Sequence, residues 1–472
     1  MDEENKLIRI TSKTCKACAI QMEIMRRIMP QFPDIEICDL DRDEDEDRVK
    51  EYDIHGVPFL KLGSATLTGA HTLDQTKAFL CGELSDDIIE AGIENPHYLD
   101  NAATTPVCQE AVTAAVSAMT DEYGNPSSTH YKGRQAKRLL TASRRIVAES
   151  INADVKEIYF TSCGSESDNW AIIQGAHMMS DKGKHIISST VEHDAVRKSL
   201  LRLEEEGYEI TRLVPDAVGR ISVDKVKAVL RPDTILVSLM LVNNETGAVN
   251  DIAGIAQLLK SEDSGAVLHT DAVQGYMKLP IDAKELGADI ISISGHKIHA
   301  PKGIGALYIR SGIELPPYII GGAQEFGIRA GTENLPLIAA MAAAVKAYSE
   351  DADSVARIKS YKEQILERIK ENIPAIEYVE GDAPHIVNIS IPVFRSEVVI
   401  NYLSDRGIYV SNSSACKRGA KSHVLAEIGK SDEYIDGAIR ISLSRMTTQK
   451  DVDVLCEALI ALNKFESGWR YD

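Results

Sequence analysis

The stretch Asp289-Ile290-Ile291-Ser292-Ile293-Ser294-Gly295-His296-Lys297 decides the fold of this chain. A short β-branched run ends at a Ser-Gly pair and is followed at once by a histidine and a lysine. This pattern predicts a buried parallel strand that presents two reactive groups at its carboxyl end, where open α/β sheets bind ligands. A partly desolvated lysine at that position can form a Schiff base, although a lysine on the surface after a strand is the commoner case.

Four further strand-like runs also end in polar or small residues. The runs and the residues that follow them are 157–160 with Gly164 and Ser165, 185–190 with His193, 235–242 with Asn244, and 266–270 with Asp271 and Gln274. Strands that alternate with helices predict a mainly parallel sheet covered by helices on both faces. Gly164 and Ser165 at a helix start could hold a phosphate, or Ser165 could be a plain helix cap.

An aspartate near a Schiff-base lysine suggests pyridoxal phosphate. Asp271 precedes Lys297 by one helix and one strand, and a carboxylate beside the pyridine nitrogen keeps that nitrogen protonated. The alternative for these two residues is a structural ion pair. Each signal is weak alone, but several at successive strand ends together indicate a cofactor site.

Composition indicates a soluble cytoplasmic enzyme. The chain has 472 residues, 44% hydrophobic and 26% charged, and a formal charge of −19, which argues against nucleic acid or an anionic membrane as partner. Neither a membrane span nor a signal peptide is recognisable, and we expect no metal. Eight cysteines are too few for a disulfide framework in a chain of this length, so a reducing compartment is expected.

The first 82 residues predict a small domain with the order strand–helix–strand–helix–strand–strand–helix. Cys15 and Cys18 form a CxxC at the start of the first helix, where the helix dipole favours a thiolate. The pattern resembles the thioredoxin/glutaredoxin family, which implies Cys15 as nucleophile, Cys18 as resolving thiol and a cis peptide bond before Pro58. Thr14 replaces the usual tryptophan, and half of a zinc site is the alternative for the two cysteines. Residues 83–96 are predicted to be a linker.

From residue 97 to the C-terminus the chain resembles the cysteine desulfurases of the NifS/IscS type. The motifs that carry this resemblance are residues 98–106 (YLDNAATTP), 124–130 (GNPSSTH), 192–193 (EH), 242–247 (VNNETG), Asp271 with Gln274, 294–297 (SGHK), 331–334 (GTEN), 413–416 (SSAC) and 439–443 (IRISL). The resemblance implies a fold-type I pyridoxal-phosphate enzyme that works as a homodimer. It also implies a large subdomain at about 108–350, and a small α/β subdomain made of 97–107 and 351–472.

The resemblance implies a role for each matching residue. Lys297 is the Schiff-base lysine, His193 stacks on the ring and moves protons, and Asp271 pairs with the ring nitrogen. The other expected contacts are Gln274 and Asn244 at the phenolic oxygen, Gly164, Ser165, Ser294 and His296 at the phosphate, Thr332 at the phosphate of the neighbouring subunit, and Arg440 with Asn244 around the substrate. Cys163 in the phosphate loop and Phe326, where an arginine is common, depart from the family pattern.

Cys416 is the expected acceptor of the substrate's sulfur. It lies in a small, polar segment beside Lys417 and Arg418, which favour a thiolate. The implied reaction converts L-cysteine to L-alanine and leaves a persulfide on Cys416, which a sulfur-acceptor protein, a small thiol or the fused CxxC must remove. Selenocysteine lyase and a non-catalytic sulfur carrier or redox sensor are the alternatives. The end use, whether iron–sulfur cluster assembly, thio-modified RNA or sulfide supply, stays open.

Overall fold

The structure is a computed structural model that describes residues 6–12, 16–52, 54, 57–62, 65–68, 73–81, 96–391, 393–412 and 421–467. Two of the predicted reactive cysteines, Cys15 and Cys416, lie outside these residues. Within the described part of the chain, no helix is long and apolar enough to cross a membrane. No group of three or more metal-ligating side chains occurs there either.

The N-terminal residues form a four-stranded sheet with the order β2-β1-β3-β4. The strands are β1 (Lys6–Thr11), β2 (Glu36–Asp41), β3 (Phe59–Leu62) and β4 (Ala65–Thr68), and the helices are Lys16–Ile28, Glu46–Val49 and Leu73–Leu80. β1 runs parallel to β2 and antiparallel to β3. The predicted order of elements is therefore confirmed, and the expected cis bond before Pro58 is present.

Both faces of this small sheet are covered by apolar side chains. Leu7 packs with Met25 and Phe79 on one face, whereas Ile8 and Ile10 pack with Val49 on the other. Successive residues of a strand point to opposite faces, so two consecutive apolar residues in β1 require cover on both sides.

The large sheet has seven strands in the order β6-β12-β11-β10-β9-β7-β8. They are β6 (Ile158–Thr161), β7 (His185–Ser189), β8 (Glu209–Leu213), β9 (Thr234–Ser238), β10 (Val267–Asp271), β11 (Ile290–Ser294) and β12 (Gly305–Ile309). β12 runs opposite to the other six strands, which agrees with the prediction of a mainly parallel sheet.

The strand predicted over 235–242 is wrong in its second half, because β9 ends at Ser238. Beyond that point, polar side chains form hydrogen bonds with the backbone N–H and carbonyl of Met240, which a neighbouring strand would otherwise bind. Glu192 accepts from the Met240 N–H and Asn250 donates to the Met240 carbonyl. Leu239 and Leu241 still donate to the β10 carbonyls of His269 and Asp271, so beyond Ser238 the chain keeps its contact with β10 and loses the pairing on its other side.

A second, smaller sheet has the order β13-β14-β17-β16. Its strands are β13 (Glu377–Val379), β14 (Ile386–Ser390), β16 (Ser411–Asn412) and β17 (Ala438–Ser442), and β15 (Ile408–Tyr409) pairs separately with β5 (His97–Tyr98). A bridge between Asp100 and Ser442 adds to this connection. The start of the body is thereby tied to its C-terminal part.

Helices surround both sheets. Those of the large-sheet region are Gln109–Thr120, Tyr131–Glu149, Gly164–Asn169, Gly175–Met178, Asp194–Glu205, Val223–Val229, Ile252–Ser261, Ala283–Leu286 and Leu335–Glu350. Those of the C-terminal region are Ser354–Asn372, Ser396–Ser404, His423–Glu427, Asp432–Gly437 and Gln449–Ser467. The apolar helix predicted after residue 164 is interrupted by a π-helical turn, Trp170–Gln174, whose Trp170 side chain is fully buried.

Candidate active site

Lys297 lies directly after β11, at the end of a single 3₁₀ turn, Gly295–Lys297. Its Nζ donates hydrogen bonds to the carbonyl oxygens of Ala102 at 2.6 Å and Ala103 at 2.7 Å. The turn needs a glycine at 295, since a Cβ there would stand 2.9 Å from Ile304 Cγ2. The segment that follows β5 thus holds the amine in place, a role that the sequence did not reveal.

Three other predicted residues surround this amine. Asp271 is the last residue of β10; burial raises the pKa of its carboxyl group, whereas His193, the Val273 N–H and Lys297 lower it. Asp271 Oδ1 accepts the Val273 N–H at 2.9 Å, and His193 Nδ1 accepts the Ala195 N–H at 3.2 Å. Gln274 Nε2 donates to the Ala102 carbonyl at 2.9 Å, the same oxygen that Lys297 binds. The predicted ring-binding residues therefore converge.

The predicted phosphate residues form a small polar cradle at the start of the helix Gly164–Asn169. A Cβ on Gly164 would approach Val273 Cγ2 to 2.8 Å and Ser294 Cβ to 3.4 Å, so only glycine leaves room there. Ser165 is exposed on the same turn. Among the described residues, the buried Ser294 Oγ has no hydrogen-bond partner. An anion at this helix start would give that hydroxyl an acceptor.

His296 lies beside this cradle in its neutral form. Burial, with the charge of Lys297 as the next cause, lowers the pKa of its imidazole to about 3. His296 Nδ1 lies 3.2 Å from Thr104 Oγ1. A neutral imidazole keeps one N–H, with which it can donate to a phosphate oxygen.

Arg440 is the largest buried cation of the site. Its Nη2 lies 2.9 Å from Asp100 Oδ1, and its Nη1 donates to the Asn244 carbonyl at 3.0 Å. Arg440 Nε has no partner within the described parts of the chain. Burial raises the pKa of Asp100, and Arg440 opposes this rise. The sequence did not single out Asp100, which lies in the same motif as Ala102.

The aminotransferase class-V family profile matches residues 97–455 of this chain. The cysteine desulfurase IscS of Methanosarcina thermophila is 41% identical over 368 residues, covering 77% of this chain and 90% of the relative. The chain belongs to the cysteine desulfurases of the aminotransferase class-V family. It is accordingly a pyridoxal-phosphate-dependent enzyme.

Other relatives of this desulfurase support the same family assignment. The cysteine desulfurase of Trichormus azollae is 40% identical over 389 residues, covering 79% of this chain and 96% of the relative. A solved NifS-like protein is 31% identical with a TM-score of 0.74, covering 79% of this chain and all of that one. A structure described as SspA in complex with cysteine is 34% identical with a TM-score of 0.66, covering 74% of this chain and 99% of that one.

Within a single chain of the desulfurase, Thr332 is not part of the cluster around Lys297. It is exposed and lines a hollow of about 230 Å³, together with Thr161, Ser162, Arg329 and Asn334 among others. The predicted contact between Thr332 and a neighbouring subunit stays a prediction.

Of the two predicted thiol sites in the desulfurase, the structure describes Cys18 and the residues that follow the Cys416 segment. Cys18 is buried and disulfide-bonded. On the downstream side of residues 413–420, Ser422 Oγ donates to Glu245 Oε2 at 2.5 Å and accepts the Leu425 N–H at 3.1 Å. Burial raises the pKa of Glu245 to about 7, and the Ser422 hydroxyl opposes this rise. These hydrogen bonds hold Ser422 in place directly after the segment that carries Cys416.

Sequence reasoning missed a polar layer beneath the desulfurase's ring-binding residues. His269 on β10 lies between the Ser238 and Ser292 hydroxyls, at 2.9 and 3.0 Å, and Asp168 Oδ1 lies 3.7 Å from His269 Nε2. Burial raises the pKa of Asp168 well above its ordinary value, with the nearby Asp271 as the next cause. The available signal was a polar residue at the centre of two buried strands, His269 in β10 and Ser292 in β11.

Proposed function

We propose that this enzyme removes sulfur from L-cysteine, releases L-alanine, and holds the sulfur as a persulfide on Cys416. The observation that supports this proposal is the convergence of the Lys297 amine, the buried Asp271 carboxyl group and the buried Arg440 guanidinium. Lys297 and Gln274 share the Ala102 carbonyl, and Arg440 pairs with Asp100 two residues earlier.

The residues present fit pyridoxal phosphate. Gly164, Ser165, Ser294 and His296 would hold its phosphate, Asp271 its ring nitrogen, and Gln274 with Asn244 its phenolic oxygen, with His193 against the ring. When bound, the cofactor supplies an electron sink for the substrate's Cα. The unpartnered Ser294 hydroxyl and the glycine-only contact at residue 164 support this fit.

The protein's own groups then bind the substrate and move its proton. Arg440 would bind the substrate carboxylate through its guanidinium, which suits a two-pronged contact. Lys297 Nζ would take the proton from the substrate Cα, and the Ala102 and Ala103 carbonyls keep that nitrogen in position. Burial of Asp271, Arg440 and Gln274 excludes water from the same region.

Cys416 would complete the transfer. Its thiolate attacks the substrate Sγ, an S–S bond forms, the substrate Cβ–Sγ bond breaks, and the proton of the substrate thiol ends on Cβ. The products are L-alanine and a persulfide on Cys416, so atoms and charge balance without an added oxidant.

The N-terminal residues would act as a thioredoxin-like dithiol domain that removes this sulfur. Cys15 would attack the outer sulfur of the persulfide, and Cys18 would then attack Cys15, releasing sulfide as a Cys15–Cys18 disulfide forms. The dithiol loses two electrons and the transferred sulfur gains them. The order of strands and helices and the buried Cys18 support this assignment.

We also propose that the enzyme is a homodimer in which Thr332 reaches the phosphate of the partner subunit's cofactor. Its exposed position beside a polar surface hollow supports this arrangement.

One experiment tests the main reaction. The purified full chain receives one equivalent of L-cysteine, alanine is measured, and mass spectrometry locates the added 32 Da of sulfur, a mass fixed by the chemistry of one sulfur atom. We expect alanine from the parent, a modified Cys416 in Cys15→Ser, which cannot pass the sulfur on, no alanine from Lys297→Ala, and parent-like behaviour in Cys81→Ser, which removes an exposed thiol. Sulfur on Cys163 instead of Cys416 would contradict the proposal.

A second experiment tests the dithiol. Sulfide released without added reductant is followed through the first turnovers in the parent enzyme, Cys15→Ser and Cys81→Ser. We expect a burst in the parent and in Cys81→Ser only. Equal bursts in all three proteins would rule out the transfer to Cys15.

A further inference from the structure

The helix Tyr131–Glu149 carries a cationic surface in a strongly acidic protein. Its inward positions, including Ala136, Leu140 and Val147, are buried. Its outward positions 134, 137, 138 and 145 are all lysine or arginine and all exposed. The spacing of three, four and seven residues places these cations on one side of a helix. We call Arg134, Lys137, Arg138 and Arg145 the basic face.

The basic face borders a shallow hollow that only this helix lines. The hollow has a volume of about 430 Å³, and Thr141 and Ala142 complete its lining. Among the described residues, no aspartate or glutamate forms an ion pair with these four cations. Buried Arg144, on the opposite side of the helix, is by contrast fully paired with Glu325. These four cations form no ion pair within the described part of the chain, although Arg134 donates to the Thr129 carbonyl. On a chain of charge −19 they indicate a surface for an acidic partner.

The N-terminal unit offers an acidic segment of matching character. Residues 39–47 read DLDRDEDED, which is seven carboxylates and one arginine. The side chains of Asp39, Asp43, Glu46 and Asp47 are 59%, 52%, 75% and 99% exposed. Asp39 is held by a two-pronged contact with Arg9. The ion pairs of Asp43 with Arg42, and of Glu46 and Asp47 with Lys50, join exposed groups and are of small energy, so these three carboxylates can exchange partners readily.

We propose that the basic face is the docking surface for the acidic segment of the N-terminal unit. This inference rests on the proposed transfer of sulfur to Cys15, and it identifies the contact that brings the two parts of the chain together. Covalent connection raises the effective concentration of the acidic segment to the millimolar range, so weak surface ion pairs suffice. Charge complementarity would also speed each encounter, by roughly 10- to 1,000-fold in comparable systems.

A zero-length carbodiimide crosslink tests the contact in the intact holoenzyme. This reagent joins an amine to a carboxylate only when the two already touch. After digestion we expect residues 135–138, modified at Lys137, joined to residues 43–48. The yield should fall at least about tenfold in 1 M NaCl, where the Debye length is near 3 Å. Lys182 and Lys260, exposed lysines elsewhere, should form no such link and serve as internal controls.

A charge swap separates docking from folding and from chemistry. In Arg134→Glu/Arg138→Glu, the sulfide burst without reductant should slow about tenfold or more. Adding Glu46→Arg/Asp47→Arg should restore most of the rate, and the matched control Lys182→Glu/Lys260→Glu should behave like the parent. Alanine formation with excess dithiothreitol should be equal in all of these proteins, because it does not depend on docking.

The outcomes distinguish the two proposals. Loss of alanine formation in the parent enzyme would end the proposed function itself. A burst that depends on Cys15 but ignores the charge reversal would overturn only the docking surface. The docking surface would likewise be overturned by Lys137 crosslinks confined to other carboxylates, or by a fluorescent single-stranded RNA that binds the parent and not the reversed variant.

Discussion

Glu192 shows how a single buried group influences the stability of this enzyme. It is almost fully buried, accepts the Ser189 hydroxyl at 2.6 Å and the Met240 N–H, and precedes His193. Burial raises the pKa of its carboxyl group from 4.5 to about 8, and the two hydrogen bonds oppose the rise. The folded protein therefore binds this proton more tightly than the unfolded chain does.

The pH dependence of unfolding checks this account. As pH rises from about 4.5 to about 8, the unfolded chain ionises Glu192 first, so this residue makes the folded state progressively less stable. Above pH 8 both states are ionised and the effect is constant. We expect Glu192→Gln to flatten this decline in the melting temperature measured from pH 5 to 9. The exposed Glu205→Gln should follow the parent curve, and a Glu192→Gln curve parallel to the parent's would contradict the account.

Gly164 is packed against residues near the ends of β10 and β11. A methyl group there would press on Val273, which follows β10, and would touch Ser294, the last residue of β11, at 3.4 Å. We expect Gly164→Ala to weaken pyridoxal phosphate binding at least about tenfold and to cost about 1–3 kcal/mol in the free energy of unfolding. The double variant Gly164→Ala/Val273→Ala should recover much of both quantities. Fluorescence titration of the apoenzyme measures the affinity, and no recovery would show that the contact with Val273 is not the cause.

At the scale of elements, Ser422 connects the end of the Cys416 segment to the turn that follows β9. It caps the helix His423–Glu427 and binds the buried Glu245. We expect Ser422→Ala to lower the free energy of unfolding by about 1–3 kcal/mol, because a buried carboxyl group loses a partner and a helix loses its cap. Ser431→Ala removes only a helix cap, at the helix Asp432–Gly437, and should cost less. Chemical denaturation of the two variants measures the difference, and equal costs would assign no role to Glu245.

At the scale of the whole molecule, the proposed dimer makes a complementation test possible. If each site uses Lys297 of one chain and Thr332 of the other, Lys297→Ala and Thr332→Ala chains should regain activity when mixed. A heterodimer of the two single variants would contain one intact site. In the control, a heterodimer of the parent and the Lys297→Ala/Thr332→Ala chain would contain no intact site, so mixing these two should add no activity to that of the parent. Alanine formation after joint refolding measures this result. Activity in the mixture no greater than the sum of the separate variants would exclude the shared site.

Much of the fold was predictable because its signals are local. Apolar β-branched runs punctuated by small residues marked β7, β10 and β11, and the element order of the first 82 residues followed from periodicity and turns. The end of β9 was not predictable. Side chains distant in sequence, Glu192 and Asn250, take the backbone groups of Met240.

The amino-acid sequence by itself determined which chemistry this protein can perform. Lysine, aspartate and histidine at or near strand ends, an arginine within a strand, and a cysteine in a small polar segment are covalent facts that no folding step alters. Only the tertiary structure decided which groups meet. Lys297 and Gln274 converge on the Ala102 carbonyl because the parallel strands β10 and β11 end at one edge of the large sheet. Arg440 pairs with Asp100 across 340 positions because the segment after β5 bridges to β17 of the small sheet.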